Sequence, residues 1–296
     1  MELRLLKSFR MVARTLNFTE AAGILGYAQS SLTTHIKALE EELGLRLFDR
    51  LGRGIRLTES GRRLLAYAER MLNLEQEARA GLGKEGQDGG VISFSSVESL
   101  CTYRLPALLS RFGSQWPKTR LLFKPSSTFD LLRQVREGSL DVAFILQELA
   151  PPGELKIEPL IKEVVAVLAG PGHYLARRRK VHPLDLADEP ILFTELGCDY
   201  RNQFERILIK AGVYPRTALE FSSIEPIKKC VAAGMGVAVL PEMAVAAELE
   251  RGELVKLPWQ GRSIKVATQM VWHSGRWLSP SLEGFLQLAR ECLQAD

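Results

Sequence analysis

The sequence predicts an α/β protein with a helical block in front: a winged helix–turn–helix, a long linking helix, and two α/β lobes. Three observations carry this. Helical periodicity runs through the first 82 residues and breaks only around Gly52-Arg53-Gly54. A glycine-rich polar stretch follows, from Gly81 to Gly90. From Val91 onward, short apolar strands alternate with amphipathic helices, the pattern of α/β units.

Leu3, Leu6, Phe9 and Val12 define a first amphipathic helix. Asn17 with Glu20 three residues later fits a capping box and opens a second helix, whose Ala21, Ala22 and Leu25 are small enough for close packing. Gly26 to Gln29 turn the chain into a third helix, running from Ser30 to Leu43. Leu32, Ile36, Leu39 and Leu43 form its buried stripe. Ser30, Thr33, Thr34, Lys37 and Glu41 form the opposite one, with Gln29 at its entrance. Short hydrogen-bonding side chains there, rather than the usual Glu and Lys, describe a face that approaches another polar surface closely, as reading DNA base edges requires.

After Gly44, strand-like residues flank Gly52-Arg53-Gly54 and predict a two-stranded wing with Arg50, Arg53 and Arg56 around its tip. Thr58 caps a fourth, long helix in which Leu64, Ala68, Met71, Glu75, Ala78 and Leu82 step by four and three. That spacing predicts a short dimer seam interrupted at Glu75. Gly81, Gly83 and Gly86 spell G-x-G-x-x-G, but a helix precedes and a strand follows, the reverse of a dinucleotide fingerprint. In the remainder, strands are expected at 91–94, 121–123, 142–145, 164–168, 191–193, 237–240 and 266–271. Helices are expected at 105–112, 129–136, 200–211 and 224–233.

A length of 296 residues suits two or three domains, and 46% hydrophobic with 25% charged residues is the composition of a globular chain able to bury cores. No run of eighteen apolar residues predicts a membrane span, and the charged start MELRLLKSFRM argues against a secretory signal. Cys101, Cys198, Cys230 and Cys292 are far apart, the usage of a reduced cytoplasmic protein rather than a disulfide or zinc framework. Residues 1–66 hold eleven Lys/Arg against seven Asp/Glu, an excess of four that equals the net charge of the whole chain. The basic excess therefore sits with the polar-faced helix, as an electrostatic footprint for nucleic acid should. His35, His173, His182 and His273 have no i, i+4 metal partner. With no nucleophile elbow and no phosphate loop either, the sequence implies no enzyme, no metal and no cofactor.

The stretch from Asn17 to Leu65 resembles the winged helix–turn–helix of LysR-type transcriptional regulators. Ala21-Ala22, Gln29, Ile36, Leu39-Glu40, Leu43-Gly44, Leu47-Phe48, Arg50, Leu57-Thr58 and Gly61 match that family's spacing. The resemblance continues through LPALLSRF before Trp116-Pro117, through EGSLDVAF, and through VAAGMGVAVLP. Thr34 departs from it, because the family more often has a larger basic or polar residue there. The resemblance implies a cytoplasmic, nucleoid-associated bacterial regulator that forms a homodimer or homotetramer through its linker helix. It further implies a periplasmic-binding-protein-like effector domain, an interrupted inverted repeat of double-stranded DNA as operator, a small-molecule effector, and contact with RNA polymerase. On this basis residues 1–58 form the DNA-binding domain, 59–90 the linker helix and hinge, and 91–296 the effector domain. Lobe I is expected at 91–161 and 268–296, and lobe II at 162–267.

The candidate DNA contacts are Thr19, Gln29, Ser30, Ser31, Thr33, Thr34, His35, Lys37, Arg50 and Arg53. Gln pairs bidentately with adenine, Ser and Thr suit bases or phosphates, and Lys suits guanine or phosphate. The bland alternatives are that Ser30 only caps its helix and that Ser31 or His35 packs at its flank. Arg177-Arg178-Arg179-Lys180 reads as a solvated face. For the effector, Ser99 and Thr128 lie between strands and helices, where hydroxyls and helix-start N–H groups hold anions. The resemblance places them in the pocket that holds carboxylate effectors in some members; their alternative role is N-capping. Ser96 and Glu98 share the first loop, and the acid at Glu98 disfavours a purely anionic ligand. Thr194, Cys198, Tyr200 and Arg201 surround the next strand-to-helix turn, with Arg201 a partner for a carboxylate and Tyr200 a cavity wall.

Two rival readings remain. The peroxide-sensing branch of the family carries a reactive cysteine near Cys198 with a partner nine residues on, where this chain has Ile207, so a thiol sensor through Cys198 is one. The other, from a different class, is a solute-binding protein or enzyme whose N-terminal block only dimerises.

Overall fold

A computed structural model describes residues 1–51, 54–82, 90–123, 128–149 and 153–294. Arg53, Gly83 and Gly86 lie outside the described residues, as do the side chains of Arg50, Leu82 and Thr128. The chain divides into two compact units, Met1–Gly90 with Arg136–Ser139, and the remainder from Val91.

In the first unit, α1 (Leu3–Thr15), α2 (Phe18–Leu25) and α3 (Gln29–Leu43) bury the stripes their periodicity marks. Leu6, Phe9 and Val12 of α1 close on Ala21 and Ala22 of α2 and on Leu32, Ile36 and Leu39 of α3. Each large side chain so buried stabilises the unit by about 1.5–3 kcal/mol. Asn17 caps α2 by accepting from Thr19 N (3.0 Å) and Glu20 N (3.2 Å). The reciprocal half of the capping box is replaced: Asn17 N donates to Thr15 Oγ1 at 3.3 Å. Gly26, at φ 68°, takes the left-handed conformation that closes α2 and starts the turn. Helix α3 begins one residue earlier than expected, with Ala28 in the cap position and no side-chain cap. Ser30 therefore lies inside the first turn and does not cap it.

Strands β1 (Phe48–Leu51) and β2 (Gly54–Leu57) pair antiparallel to make the wing, Phe48 opposite Leu57. Glu40 of α3 ties the wing down: its Oε1 accepts from Leu47 N at 2.7 Å and Phe48 N at 3.3 Å. Helix α4 (Glu59–Leu82) starts where Thr58 Oγ1 accepts from Gly61 N (2.9 Å). A Cβ at Gly61 would stand 2.2 Å from Leu47 O, so only glycine lets α4 start this close to the wing. The proposed seam mixes two faces of α4. Ala68 and Leu72 are buried with α1, Leu64 packs beside them, and Glu75 pairs with Lys7 at 3.1 Å instead of interrupting a seam. Among the described side chains the large apolar residues left exposed are Tyr67, Met71 and Leu74, about 100° around the helix from that core.

The second unit holds two five-stranded sheets. The first has the order β4-β3-β5-β12-β6, from β3 (Val91–Ser96), β4 (Arg120–Phe123), β5 (Val142–Gln147), β6 (Leu155–Glu163) and β12 (Val266–His273). β3 runs parallel to β4 and β5, whereas β12 is antiparallel to β5 and β6. The second has the order β11-β7-β10-β8-β9, from β7 (Val165–Ala169), β8 (Pro190–Thr194), β9 (Arg216–Phe221), β10 (Val237–Pro241) and β11 (Val255–Lys256). The chain crosses between sheets at Val164 and again between Lys256 and Val266. The first crossing is held by Glu163, which accepts both Arg104 Nε (3.0 Å) and Nη2 (2.8 Å), and Thr268 Oγ1 (2.7 Å).

Helices α5 (Glu98–Tyr103), α6 (Leu105–Gln115), α7 (Thr128–Arg136) and α11 (Pro280–Leu293) belong with the first sheet. Helices α8 (Asp199–Lys210), α9 (Ile224–Ala232) and α10 (Ala246–Glu250) belong with the second. Phe285 of α11 seals the first layer, its ring centroid 5.5 Å from Phe94 and 5.0 Å from Phe112. Strands β6, β9 and β11 and helices α5, α10 and α11 were not among the expected elements. No helix among the described residues is long and apolar enough to cross a membrane.

Candidate functional site

Two places gather the candidate residues, one in each unit. In the first unit, burying Leu32, Ile36 and Leu39 turns the other side of α3 outward. Gln29, Ser30, Ser31, Thr34 and Lys37 are exposed there, and Thr33 is half-buried at the edge. Thr33 Oγ1 donates to Gln29 O (2.9 Å) and Thr34 Oγ1 to Ser30 O (3.0 Å). Those bonds commit the two hydroxyl protons to the helix and leave methyl groups and oxygen lone pairs facing outward. Thr19 is exposed at the first turn of α2. His35 faces inward: its Nδ1 lies 2.8 Å from Oγ of the buried Ser8, and Tyr27 meets its ring edge-on at 5.4 Å. It packs at the flank of α3 rather than on the outward stripe. On the wing, Arg56 stands opposite Asp49, with Nε 3.5 Å from Oδ2. Arg50 pairs with Ile55 through the backbone register.

In the second unit a cleft opens between the two sheets' helix starts. Val97, Glu98, Ser99 and Leu146 line it from the first lobe. Thr194, the run Glu195 to Tyr200, Ser222 and Ile224 line it from the second. The cleft thus brings together Glu98, Ser99, Thr194, Cys198 and Tyr200, as the sequence suggested. Ser96 does not join them; it is buried and its hydroxyl donates to Val97 O at 3.0 Å.

Arg201 is the main correction. Its guanidinium is buried on the far side of α8, where Nη1 donates to Thr194 O and to Glu220 Oε2 (2.7 Å) and Nε to Glu205 Oε1 (3.2 Å). It also lies over the Phe193 ring at 4.8 Å, so it locks α8 onto β8 and β9 and offers nothing to a carboxylate in the cleft. The lining residues that sequence reasoning missed are Val97, Leu146, the run Glu195 to Gly197, Asp199, Ser222 and Ile224. Asp199 was legible as the acid opening α8; Ser222 follows a strand that lacks an apolar run.

Glu98 spans the cleft. Its carboxylate accepts from Ser223 Oγ (3.1 Å) and Ile224 N (3.4 Å) across the lobes. Beside it, Tyr103 OH donates to Glu225 and accepts from Lys228 Nζ (3.0 Å). Burial pushes the Cys198 thiol above its ordinary value, which disfavours the thiolate a peroxide sensor needs. Burial likewise holds the Tyr200 hydroxyl well above its usual range. All four cysteines are free thiols, and no cluster of three metal-ligating side chains occurs among the described residues.

Comparison with known proteins decides what carries this pair of sites. Residues 3–62 match the family model of the bacterial regulatory helix-turn-helix protein, lysR family, and residues 85–294 match the LysR substrate binding domain. The chain belongs to the LysR family of transcriptional regulators. It is 40% identical to the uncharacterized HTH-type transcriptional regulator YwqM of Bacillus subtilis over 98% of this chain and 99% of that one. It is 30% identical to the regulator GltR of Bacillus subtilis, over 99% and 98% of the two chains. Among solved structures, full-length OxyR C199D of Pseudomonas aeruginosa has a TM-score of 0.76 at 24% identity, covering 99% of this chain and 95% of that one. CbnR complexed with its target DNA has a TM-score of 0.68 at 22% identity, over 99% and 100%. At those identities the two structures share the fold. A LysR regulator of this kind consists of a helix–turn–helix domain and an effector-binding domain, and its relatives are regulators rather than enzymes.

Proposed function

We propose that this LysR regulator reads duplex DNA with the outward face of α3 and answers to a small molecule bound in the cleft of the second unit. The observation that carries the DNA reading is the exposed row Gln29, Ser30, Ser31, Thr34 and Lys37, next to a wing whose sequence holds Arg50, Arg53 and Arg56. Gln29 supplies the amide pair that suits adenine, while Thr33 and Thr34 present methyl groups and acceptor oxygens to base edges. Lys37, Thr19 and the wing arginines contact phosphate or the minor groove. His35 positions α3 through Ser8 and does not touch DNA.

The exposed Tyr67, Met71 and Leu74 on α4 take the corresponding helix of a second copy, which sets two α3 helices on successive major grooves. The operator is then an interrupted inverted repeat. A ligand that fits one arrangement of the lobes better than the other shifts their balance, and with it the DNA bend the oligomer imposes. The domains run over 1–58, 59–90 and 91–296.

Titration of the full-length protein onto recovered genomic fragments tests the DNA reading. Lys37→Ala weakens binding to all sequences and lowers the salt slope by about one if it neutralises one phosphate. Gln29→Ala relaxes preference at one base position, at a cost of about 1–3 kcal/mol. If both variants bind with unchanged affinity and slope, α3 does not face the DNA.

A further inference from the structure

The second unit carries a basic concavity apart from the cleft. Arg206 and Lys210 of α8 line it from one side, and Arg262 and Lys265 of the second crossing line it from the other. Residues 203, 206, 207 and 210 share one face of α8, which therefore supplies Gln203, two of the cations and the apolar Ile207. None of the four cations is paired with a carboxylate among the described residues. Arg206 spends only its Nε, on Asn202 O of its own helix at 3.1 Å. One carboxylate, Glu148, lines the pocket with them and leaves three positive charges in excess. Residues 150–152, which follow closely on Glu148 in the chain, are Ala-Pro-Pro and bring no charge. Elsewhere in the unit Arg104, Arg201, Lys228 and Arg290 each meet a carboxylate.

A second feature is independent of charge: the walls of this pocket are fastened to one another. Gln203 Nε2 donates to Lys265 O (3.0 Å), and Gln203 Oε1 accepts from Lys265 N (3.0 Å), so a reciprocal amide pair holds α8 to the crossing. Gln203 Nε2 also donates to Asp199 Oδ2 (2.8 Å), and the same oxygen accepts from Glu148 N (2.8 Å), which ties in the third wall. Like charges gathered on one surface repel and cost stability until a counter-charge joins them. Here the chain holds the walls together through an amide and backbone groups, and leaves all four cationic side chains exposed. Ser263 adds a hydroxyl that has no partner among the described residues. A single carboxylate would neutralise one charge of the excess. A phosphoryl group carries nearly two, and its oxygens point in several directions, as two guanidinium forks and two ammonium groups require.

We propose that this pocket is a second ligand site, distinct from the cleft, and that it takes the phosphoryl or pyrophosphoryl group of a small molecule. Its oxygens accept from Arg206 and Lys210 on α8 and from Arg262 and Lys265 on the crossing. The two sites are joined through Asp199, which lines the cleft and also receives Gln203 and Glu148 N across the lobes. An anion seated in the basic pocket draws together the elements that Asp199 connects, and so bears on the cleft without entering it.

Calorimetric titration of the full-length protein with pyrophosphate, and with inorganic phosphate, at matched ionic strength tests the site. Pyrophosphate should saturate it with a Kd below about 1 mM and bind more tightly than phosphate. Arg206→Ala and Lys265→Ala, both at exposed positions, should each weaken pyrophosphate about tenfold or more, the scale of a lost hydrogen bond to charge. Arg177→Ala removes an exposed cation outside the pocket and should leave the affinity unchanged. Pyrophosphate should also raise the tryptophan-monitored melting temperature of the parent more than that of either pocket variant. An equal loss in Arg177→Ala would show attraction to net charge alone and overturn the site. Pyrophosphate binding that both pocket variants leave intact would place the anion elsewhere and overturn it too. Absence of heat up to about 10 mM overturns the phosphoryl class. If, in that case, the pocket variants instead bind genomic fragments with a lower salt slope, the four cations follow DNA and not a small ligand.

Discussion

Replacing Glu40 by Ala tests how α3 holds the wing. Glu40 Oε1 is the acceptor for Leu47 N at 2.7 Å and for Phe48 N at 3.3 Å, and both residues are buried. Without the carboxylate, two backbone N–H groups at the entry to β1 lose their partner where water reaches them poorly. A charge-assisted bond of the shorter kind contributes about 1.5–3 kcal/mol, and the half-exposed position of Glu40 puts the loss near the lower part, about 2 kcal/mol. That corresponds to roughly 30-fold faster exchange of the Leu47 and Phe48 amides through local opening. Glu40→Gln keeps an acceptor without its charge and should lose about half as much. Hydrogen exchange resolved by peptide mass spectrometry reads the effect. All four tryptophans, Trp116, Trp259, Trp272 and Trp277, lie in the second unit, so an unchanged fluorescence melt confirms that the damage is local. Unaltered exchange at Leu47 and Phe48 in Glu40→Ala would refute the clamp, and DNA affinity should then be unchanged as well.

Three further outcomes follow from the geometry. Gly61→Ala forces a methyl to within 2.2 Å of Leu47 O, so α4 must shift, and far-UV circular dichroism should show the first unit destabilised by about 1–3 kcal/mol. Cys198, its thiol raised by burial, should alkylate with iodoacetamide more slowly at pH 7.5 than a thiol in an unfolded peptide, and remain unmodified after mild peroxide; rapid labelling would restore the redox reading. Glu225 is held below its ordinary value of 4.5 by Lys228 and then by Tyr103, so its ion pair contributes stability above that value and loses it as pH falls through the folded value. Glu225→Gln should accordingly lower the tryptophan-monitored melting temperature at pH 7 and differ progressively less from the parent as acid is added.

Elements with an uninterrupted apolar period were legible in the sequence, and those that mix periods were not. The stripe of α3 and the runs of β3, β5 and β10 are unambiguous because burial demands them. Strand β6 hides behind Pro159 and four charges in LKIEPLIKE; it survives because it is an edge strand, and the register slips beside Pro159 so that the missing N–H breaks no ladder bond. Strand β9, RTALEF, is the edge of the other sheet and is charged at Arg216 and Glu220, and with it Ser222 was lost from the candidate site. On α4 a heptad count cannot separate the face that α1 covers from the face left outside. Only the contacts show that Ala68 is inside while Tyr67, Met71 and Leu74 are not.

The same limit governed the cleft. Thr194, Cys198, Tyr200 and Arg201 share one strand-to-helix turn, and sequence proximity treats them as one group. Residues 199 and 201 nevertheless leave a helix about 200° apart. Once α8 packs its apolar residues Phe204 and Leu208 inward, the acid and the arginine must take different sides. Asp199 comes to the cleft, and Arg201 goes to β8 and β9, where Glu205 and Glu220 receive it. The sign of the cleft is thus fixed by which residue of the first turn the core leaves free. An arginine two positions from a pocket residue is evidence for an anion site only after that rotation is known. Here the rotation removes the cation and leaves the acid, and Glu98 on the opposite lobe adds a second. Moving a charge two residues along this helix start is enough to take it from the cleft to the side of α8 that faces β8 and β9.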